Sequence, residues 1–349
     1  GLCEQSDDAQ QLVPVLQGLI VYYLNRGDIR TASELGKQLF DLAEAQSDPA
    51  LMLPHMNLGA LAFYRGEPAS ADAHHMQVLT LYTPQASQDL DVRFADPSVV
   101  AHSYLALERW NLGYPEQALQ HSQAAIARAQ ELSHPWSLSF ALFLTAFLHQ
   151  CRREVPSVYE QTETMITLVT EQGFTFWVAY ATVLHGWSLV MQGQGEQGIA
   201  EIRQGLEADR ATGSNLWQAC FLGLLAEAYG VSGQPEEGFM LLAEAMTMME
   251  TTEVHFYEAE LFRIKGVLLL QRAVPDASQA EICFHRALDI AQQQAAKSWE
   301  LRAATSLARL WHQQDKPQEA RDLLGPVYEW FSEGFDTADL IDAKALLDG

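Results

Sequence analysis

The sequence predicts an all-α chain: a superhelical stack of about eight helical hairpins, with a short capping helix at its C-terminal end. Three observations predict it. Leu and Ala dominate an apolar fraction of 48%, and strand-type runs of Val and Thr are rare, which favours helix throughout. A small or tightly packed residue recurs about every 40 positions: Ile20, Gly59, Ala106, Thr145, Gly186, Ala226, Gly266 and Ala308. A second series (Ala32, Ala71, Ala118, Ser157, Gly198, Gly238, Ala280, Ala320) follows 12 residues behind the first, except that Pro275 lies within a seventh gap of 14. Such a period marks units that can hide their apolar faces only against one another.

The stretch 175–213, TFWVAYATVLHGWSLVMQGQGEQGIAEIRQGLEADRATG, is the clearest unit. Its first helix carries Trp177, Tyr180, Leu184, Trp187 and Val190. Gly193 supplies the positive φ that ends a helix. The second helix places Ile199, Ile202 and Leu206 at i, i+3 and i+7, with Glu201, Arg203 and Glu207 on the opposite side.

The other units follow in order. The first hairpin, 7–46, turns at Gly27-Asp28. The second, 49–82, starts after Ser47-Asp48 and turns at Gly66-Glu67-Pro68. Residues 83–97 form the one long connection, which is also the one insertion in the register. The third, 97–132, opens on Asp96-Pro97, an N-cap followed by proline at the first helical position, and turns at Gly113-Tyr114-Pro115. The fourth, 135–171, turns at Arg153-Glu154; the fifth is 175–212. The sixth, 215–251, turns at Gly233-Gln234-Pro235 and the seventh, 254–295, at Pro275-Asp276. The eighth, 298–332, turns at Asp315-Lys316-Pro317. A helix over 337–347 aligns Leu340, Ala343 and Leu347 on one face, as an end cap requires. Residues 1–349 thus read as one repeat array, and the short polar start of the first hairpin is what a cut from a longer chain would leave.

The net charge of −24 is spread over the whole length. A nucleic-acid binder needs a basic stripe to displace counterions, so DNA and RNA are not expected partners. No apolar run is long enough to span a bilayer. Cys3, Cys151, Cys220 and Cys283 are far apart and form no CxxC, which points to a reducing, cytoplasmic setting without zinc. His74 and His75 are adjacent, so on a helix they point about 100° apart and cannot chelate one ion together. No metal or cofactor site is expected. No phosphate loop, dinucleotide fingerprint or nucleophile elbow occurs, so no catalytic residue is expected and the chain does not read as an enzyme.

The 12-residue small-to-small spacing, with Phe284 and Ala287 or Leu242 and Ala245 following it, resembles the tetratricopeptide repeat. The units here are longer than that family's and lack its proline at the end of the second helix. This is similar to the long-repeat variant in the sensor region of the maltose-regulon activator. A narrower resemblance rests on LLAEAYG (224–230) with GQPEEG (233–238), KSWELRAATSLARLW (297–311) and EGFDTADL (333–340). These are similar to the C-terminal repeats of large bacterial signalling proteins with a class III adenylate cyclase domain, a STAND-type ATPase module, or both. The resemblance implies a right-handed superhelix and a regulatory or sensor role beside an upstream cyclase or ATPase domain. It transfers no catalytic residue.

In such a solenoid the first helices line the concave face. The repeat register places Tyr64, Trp110, His149, Tyr180, Trp187, Glu227, Arg263, Arg302 and Arg309 there, aromatic in the middle and charged toward the C-terminus. That face suits a protein or peptide segment, or else a small effector with a carboxylate or phosphate for Arg to grip. The competing reading has Arg263, Glu260, Arg302 and Glu300 paired with one another between repeats. A second series, Trp136, Trp177, Trp217, Tyr257 and Trp299, lies in phase at the start of the first helices. Packing against the preceding repeat accounts for it best, and a ligand-stacking ladder is the alternative. Trp330, Phe331 and Phe335 either seat the cap or form a dimer contact. The oligomeric state is open.

Overall fold

The computed structural model describes residues 2–44, 51–83 and 95–349, with the side chains of the first helix described from Leu12 onward. The predicted connection over 83–97 falls mostly outside the described residues. Seventeen helices and no strand occur among the described residues. The first four hairpins are α1–α2 (Leu2–Asn25, Ile29–Glu44), α3–α4 (Met52–Tyr64, Pro68–Leu81), α5–α6 (Pro97–Asn111, Pro115–Glu131) and α7–α8 (Pro135–Cys151, Val155–Glu171). The next four are α9–α10 (Thr175–Met191, Gly195–Thr212), α11–α12 (Gln218–Val231, Pro235–Thr252), α13–α14 (Glu258–Gln271, Ala277–Gln293) and α15–α16 (Lys297–Gln313, Pro317–Glu329). Helix α17 (Ala338–Asp348) packs on α15 and α16 and closes the stack.

Local chemistry sets the helix ends. Asp96 caps α5 by accepting from the Ser98 and Val99 amides at 3.0 and 3.4 Å. Proline opens the second helix of five hairpins, where its missing N–H costs nothing.

The two helices of a hairpin bury different amounts of surface. Second helices hide one stripe, such as Ala118, Ser122, Ala125 and Ala129 on α6, or Val158, Thr162, Met165 and Val169 on α8. First helices inside the stack, such as α7 and α11, are buried almost all round, whereas α1 at its open end leaves Leu12, Val15, Leu19 and Tyr22 exposed. They form the inner wall, second helices the outer one. Small residues let the walls touch: a Cβ at Gly59 would stand 2.6 Å from the buried His75 ring of α4.

The stack winds back onto itself. In the first hairpin the Asn25 carbonyl accepts from the Asn215 amide at 2.9 Å, ahead of the sixth. In the second, the Tyr64 carbonyl accepts from the amides of His255 and Phe256 at 2.7 and 3.2 Å, ahead of the seventh. In the third, the Trp110 carbonyl accepts from Ser298 of the eighth. In the fourth, Arg153 meets Asp339 and Asp342 of the cap at 3.3 and 2.8 Å. The same offset of five hairpins recurs, so about five make one superhelical turn. Gly113 and Gly193 both turn with φ +88°, yet a Cβ on Gly113 would strike the Trp330 ring while one on Gly193 would meet nothing within 4 Å. Trp330 and Phe331 therefore seat the C-terminal end against the third hairpin.

Candidate functional site: an axial chamber in the first superhelical turn

Because the second turn docks under the first, the inner face is not an open trough. A cavity of about 230 Å³ remains on the axis of the first turn. Six successive hairpins contribute to its wall. Helix α1 supplies Val13, Gln17 and Val21, and α3 supplies Met56, Asn57 and Tyr64. Tyr104 comes from α5, Phe140 and Phe143 from α7, and Trp177 and Tyr180 from α9. Trp217 closes the ring just ahead of α11. These side chains converge because first helices face inward and the register returns a ring at each step.

The floor is aromatic. The Trp217 ring lies 4.9 Å from Phe143, 4.9 Å from Phe147 and 5.0 Å from Phe256, the last at the start of the second turn. Edge-to-face pairs of this kind add to the burial term. Most polar atoms in the wall satisfy one another, while the buried Trp177 indole N–H has no partner. The Trp217 indole N–H donates to the Tyr64 hydroxyl at 3.2 Å, and the Tyr64 and Tyr104 hydroxyls share a 3.1 Å bond. Tyr180 and Ser214 share one of 3.2 Å. Asn57 donates to Gln17 at 2.5 Å.

Among the described residues, no Asp, Glu, Lys, Arg or His lines the chamber. Burial pushes the Tyr64, Tyr104 and Tyr180 phenols far above their usual range, so all three stay neutral. One acid stands behind the wall. Asp209 is buried, accepts from Gln218 at 2.5 Å, and is pushed up to about 6 by burial.

The nine residues placed on the concave face do not form one site. Tyr64 and Tyr180 line the chamber. Trp187, Glu227, Arg263, Trp110 and Arg302 belong to a polar chain farther along the axis. The Trp187 N–H donates to Glu227 at 2.8 Å, and Glu227 lies 3.7 Å from Arg263. Arg263 grips Glu260 through two bonds of 2.7 Å. Glu260 meets Arg302 at 3.2 Å, and Arg302 meets Asp339 at 2.8 Å. The Arg302 guanidinium also lies 5.3 Å from the Trp110 ring centroid and 5.1 Å from that of Trp299, and it donates to the Cys151 carbonyl. Burial alone would raise the Glu260 pKa, but Arg263 and Arg302 outweigh it and hold the carboxyl below its usual range. Arg263 is thus committed mainly to Glu260 of its own helix, and Arg302 to carboxylates of the adjacent repeat and the cap. Glu300 is the exception to the anticipated grouping, since it pairs with Lys297 at 2.7 Å. His149 pairs with Glu154 at the fourth turn, 2.5 Å away, and Arg309 is exposed, 3.7 Å from Asp342.

Of the in-phase aromatic series, Trp177, Trp217, Tyr257 and Trp299 are buried in ring-to-ring packing, while Trp136 is half-buried. Trp136, Trp177 and Trp217 also line the chamber, so packing and lining are one role there. That series was the sequence signal for the chamber. Nothing in the sequence marked Gln17, Asn57 or Phe140 as lining it.

The architecture is that of a TPR-like helical-repeat domain. The fold is shared with a Rap conjugation gene regulator of plasmid pLS20 solved with a Phr peptide (TM-score 0.60, 11% identity, covering 97% of this chain and 96% of that one). It is also shared with a Rap protein complexed with Competence and Sporulation Factor (TM-score 0.57, 10% identity, 97% and 99% covered). No family profile matches the chain. An uncharacterized protein of Rhizobium meliloti (strain 1021) is 21% identical over 307 residues, and the match covers 87% of this chain but 29% of that protein. No described helix is long and apolar enough to cross a membrane.

Proposed function

We propose that this chain is a non-catalytic regulatory module that captures a protein or peptide segment by seating its apolar side chain in the axial chamber. The observation that carries this reading is the chamber itself, uncharged and ringed by aromatic side chains. It has too few free polar groups to satisfy a peptide backbone, so the backbone stays at the mouth and a side chain enters. Proteins of this fold solved with a Phr peptide and with Competence and Sporulation Factor support the reading. Binding alters how the first turn sits on the second, and a nucleotide cyclase or ATPase domain of the same polypeptide reads that change. The resemblance of the C-terminal repeats to such proteins supports this last step.

A small uncharged effector is the second reading. The floor at Trp217, backed by Phe256, favours it, because a pocket of about 230 Å³ with a blocked end suits a compact molecule better than a long segment.

One experiment addresses both. N-phenyl-1-naphthylamine, a neutral dye, is titrated into the purified chain, and peptides with aromatic or aliphatic tips compete for it. Saturable one-to-one dye binding, displacement by some peptides, and at least tenfold weaker binding after Ala60→Phe, which fills the chamber, are the expected results. Peptide binding that neither displaces the dye nor responds to Ala60→Phe contradicts the chamber as the site. Displacement only by small neutral molecules selects the second reading.

A further inference from the structure

Two pairs of histidines repeat the same geometry in neighbouring hairpins. The Nδ1 atoms of His55 on α3 and His74 on α4 are 2.9 Å apart, with ring centroids at 5.1 Å and planes inclined by 44°. Those of His102 on α5 and His121 on α6 are also 2.9 Å apart, at 5.2 Å and 38°. Each pair joins the first and second helices of one hairpin. Each takes the positions four before the first-helix small residue and three after the second-helix one, Gly59 and Ala71 in one case and Ala106 and Ala118 in the other. All four rings are half-buried, so one side of each pair is open to water.

We infer that the His55–His74 and His102–His121 pairs are two equivalent bidentate sites for a divalent transition ion of the imidazole-loving kind, copper(II) or nickel(II). Two nitrogens bound to one ion at about 2.0–2.1 Å and at right angles lie about 2.9 Å apart, whereas a tetrahedral zinc would spread them to about 3.3–3.4 Å. The observed separation, which is also that of a ring-to-ring hydrogen bond, matches the right-angle spacing of a square-planar or octahedral ion without spreading the rings. The protons balance without release. In the free pair one neutral ring donates its Nδ1–H to the other; on binding, that proton moves to Nε2, and both Nδ1 lone pairs turn to the ion. The second side-chain torsion of histidine is soft enough for that small rotation.

The nearby cations are already paired. Arg65, beside His74, meets Glu67 at 3.2 Å, and Arg109, beside His121, meets Asp72 at 2.6 Å. No cluster of three or more ligating side chains exists among the described residues, so water completes the coordination. Adjacent His75 takes no part, since its ring is buried against Glu108 at 2.7 Å. The register, not adjacency, makes the pairs: 19 residues separate the partners in both hairpins.

The test uses the untagged chain, titrated with copper(II) or nickel(II) by calorimetry, with electron paramagnetic resonance on the copper form. Two similar sites are expected, each with two equatorial nitrogens. His74→Gln removes one site, His121→Gln the other, and the double variant binds at least tenfold more weakly, while His285→Gln changes nothing. If a glutamine variant does not fold, as judged by its helical circular dichroism, His55→Asn and His102→Asn address the partner rings. No saturable binding, or two sites persisting in the double variant, overturns the inference and leaves the pairs as neutral hydrogen bonds.

Discussion

Two regions of the superhelical axis are built from the same repeat positions and differ in what fills them. Under the first hairpins the axis is hollow and uncharged, bounded by Tyr64, Tyr104, Tyr180 and Trp217. Farther along it is occupied by Glu227, Arg263, Glu260 and Arg302, linked to Asp339 of the cap. Repetition sets the wall, and side-chain volume and charge decide whether the axis stays open. Where long arginines reach inward, they meet carboxylates of their own and adjacent repeats, and Arg302 also reaches the Cys151 carbonyl and the Trp110 ring across the turns. Where rings stand on edge against one another, they leave a gap.

The largest expected effect falls in the charged region. Arg302→Ala leaves Glu260 to Arg263 and Asp339 to Arg153 and takes the donor from the Cys151 carbonyl, and the loss should approach the roughly 3–5 kcal/mol typical of removing one partner of a buried pair. Urea denaturation reads this directly. A loss under about 1 kcal/mol would mean that the turns are held elsewhere.

Asp209→Asn acts behind the chamber wall. The folded pKa of Asp209, about 6, lies above the unfolded value near 3.8. The folded state therefore holds its proton more tightly, and the associated stability is complete below pH about 4 and lost as pH rises through 6. Removing the charge should stabilise the protein at pH 7 by on the order of 1–3 kcal/mol and flatten its stability across that window. Unchanged pH dependence would show that water reaches Asp209.

Overpacking separates the hollow region from the filled one. Ala303→Phe enlarges a buried side chain in the closed packing of α15 and should cost about 1–3 kcal/mol. Ala60→Phe grows into the chamber and should cost less than about 1 kcal/mol. Equal penalties would mean that the chamber is not open space. The smallest effect belongs to Arg30→Ala, which deletes an exposed ion pair of 2.8 Å between turns and should not move the denaturation midpoint measurably.

The hairpins were legible in the sequence because the small residues and the Gly and Pro turns act locally, within one helix pair. The chamber was legible through Trp136, Trp177 and Trp217, whose phase is visible along the chain, and through Tyr64 and Tyr180 of the concave-face register. The joining of Tyr64 to Phe256, and of Trp110 to Ser298, was not, since pairing across nearly 200 residues depends on the superhelical pitch, which no local pattern encodes. For the same reason Arg302 read equally well as a groove residue or a structural one. Adjacency marks His74 and His75, whereas the pairing of His74 with His55 depends on the repeat register.

Docking of the second superhelical turn onto the first is what makes a chamber rather than a trough. Pulsed electron–electron resonance tests it most directly, with spin labels introduced by Arg30→Cys and Glu253→Cys in a Cys3→Ser background. Cys151, Cys220 and Cys283 are buried and should not take label. The two labelled side chains touch across the turns although 223 residues separate them. A single narrow population at short distance is the predicted result; a long or broad distribution would show an open superhelix and contradict the account.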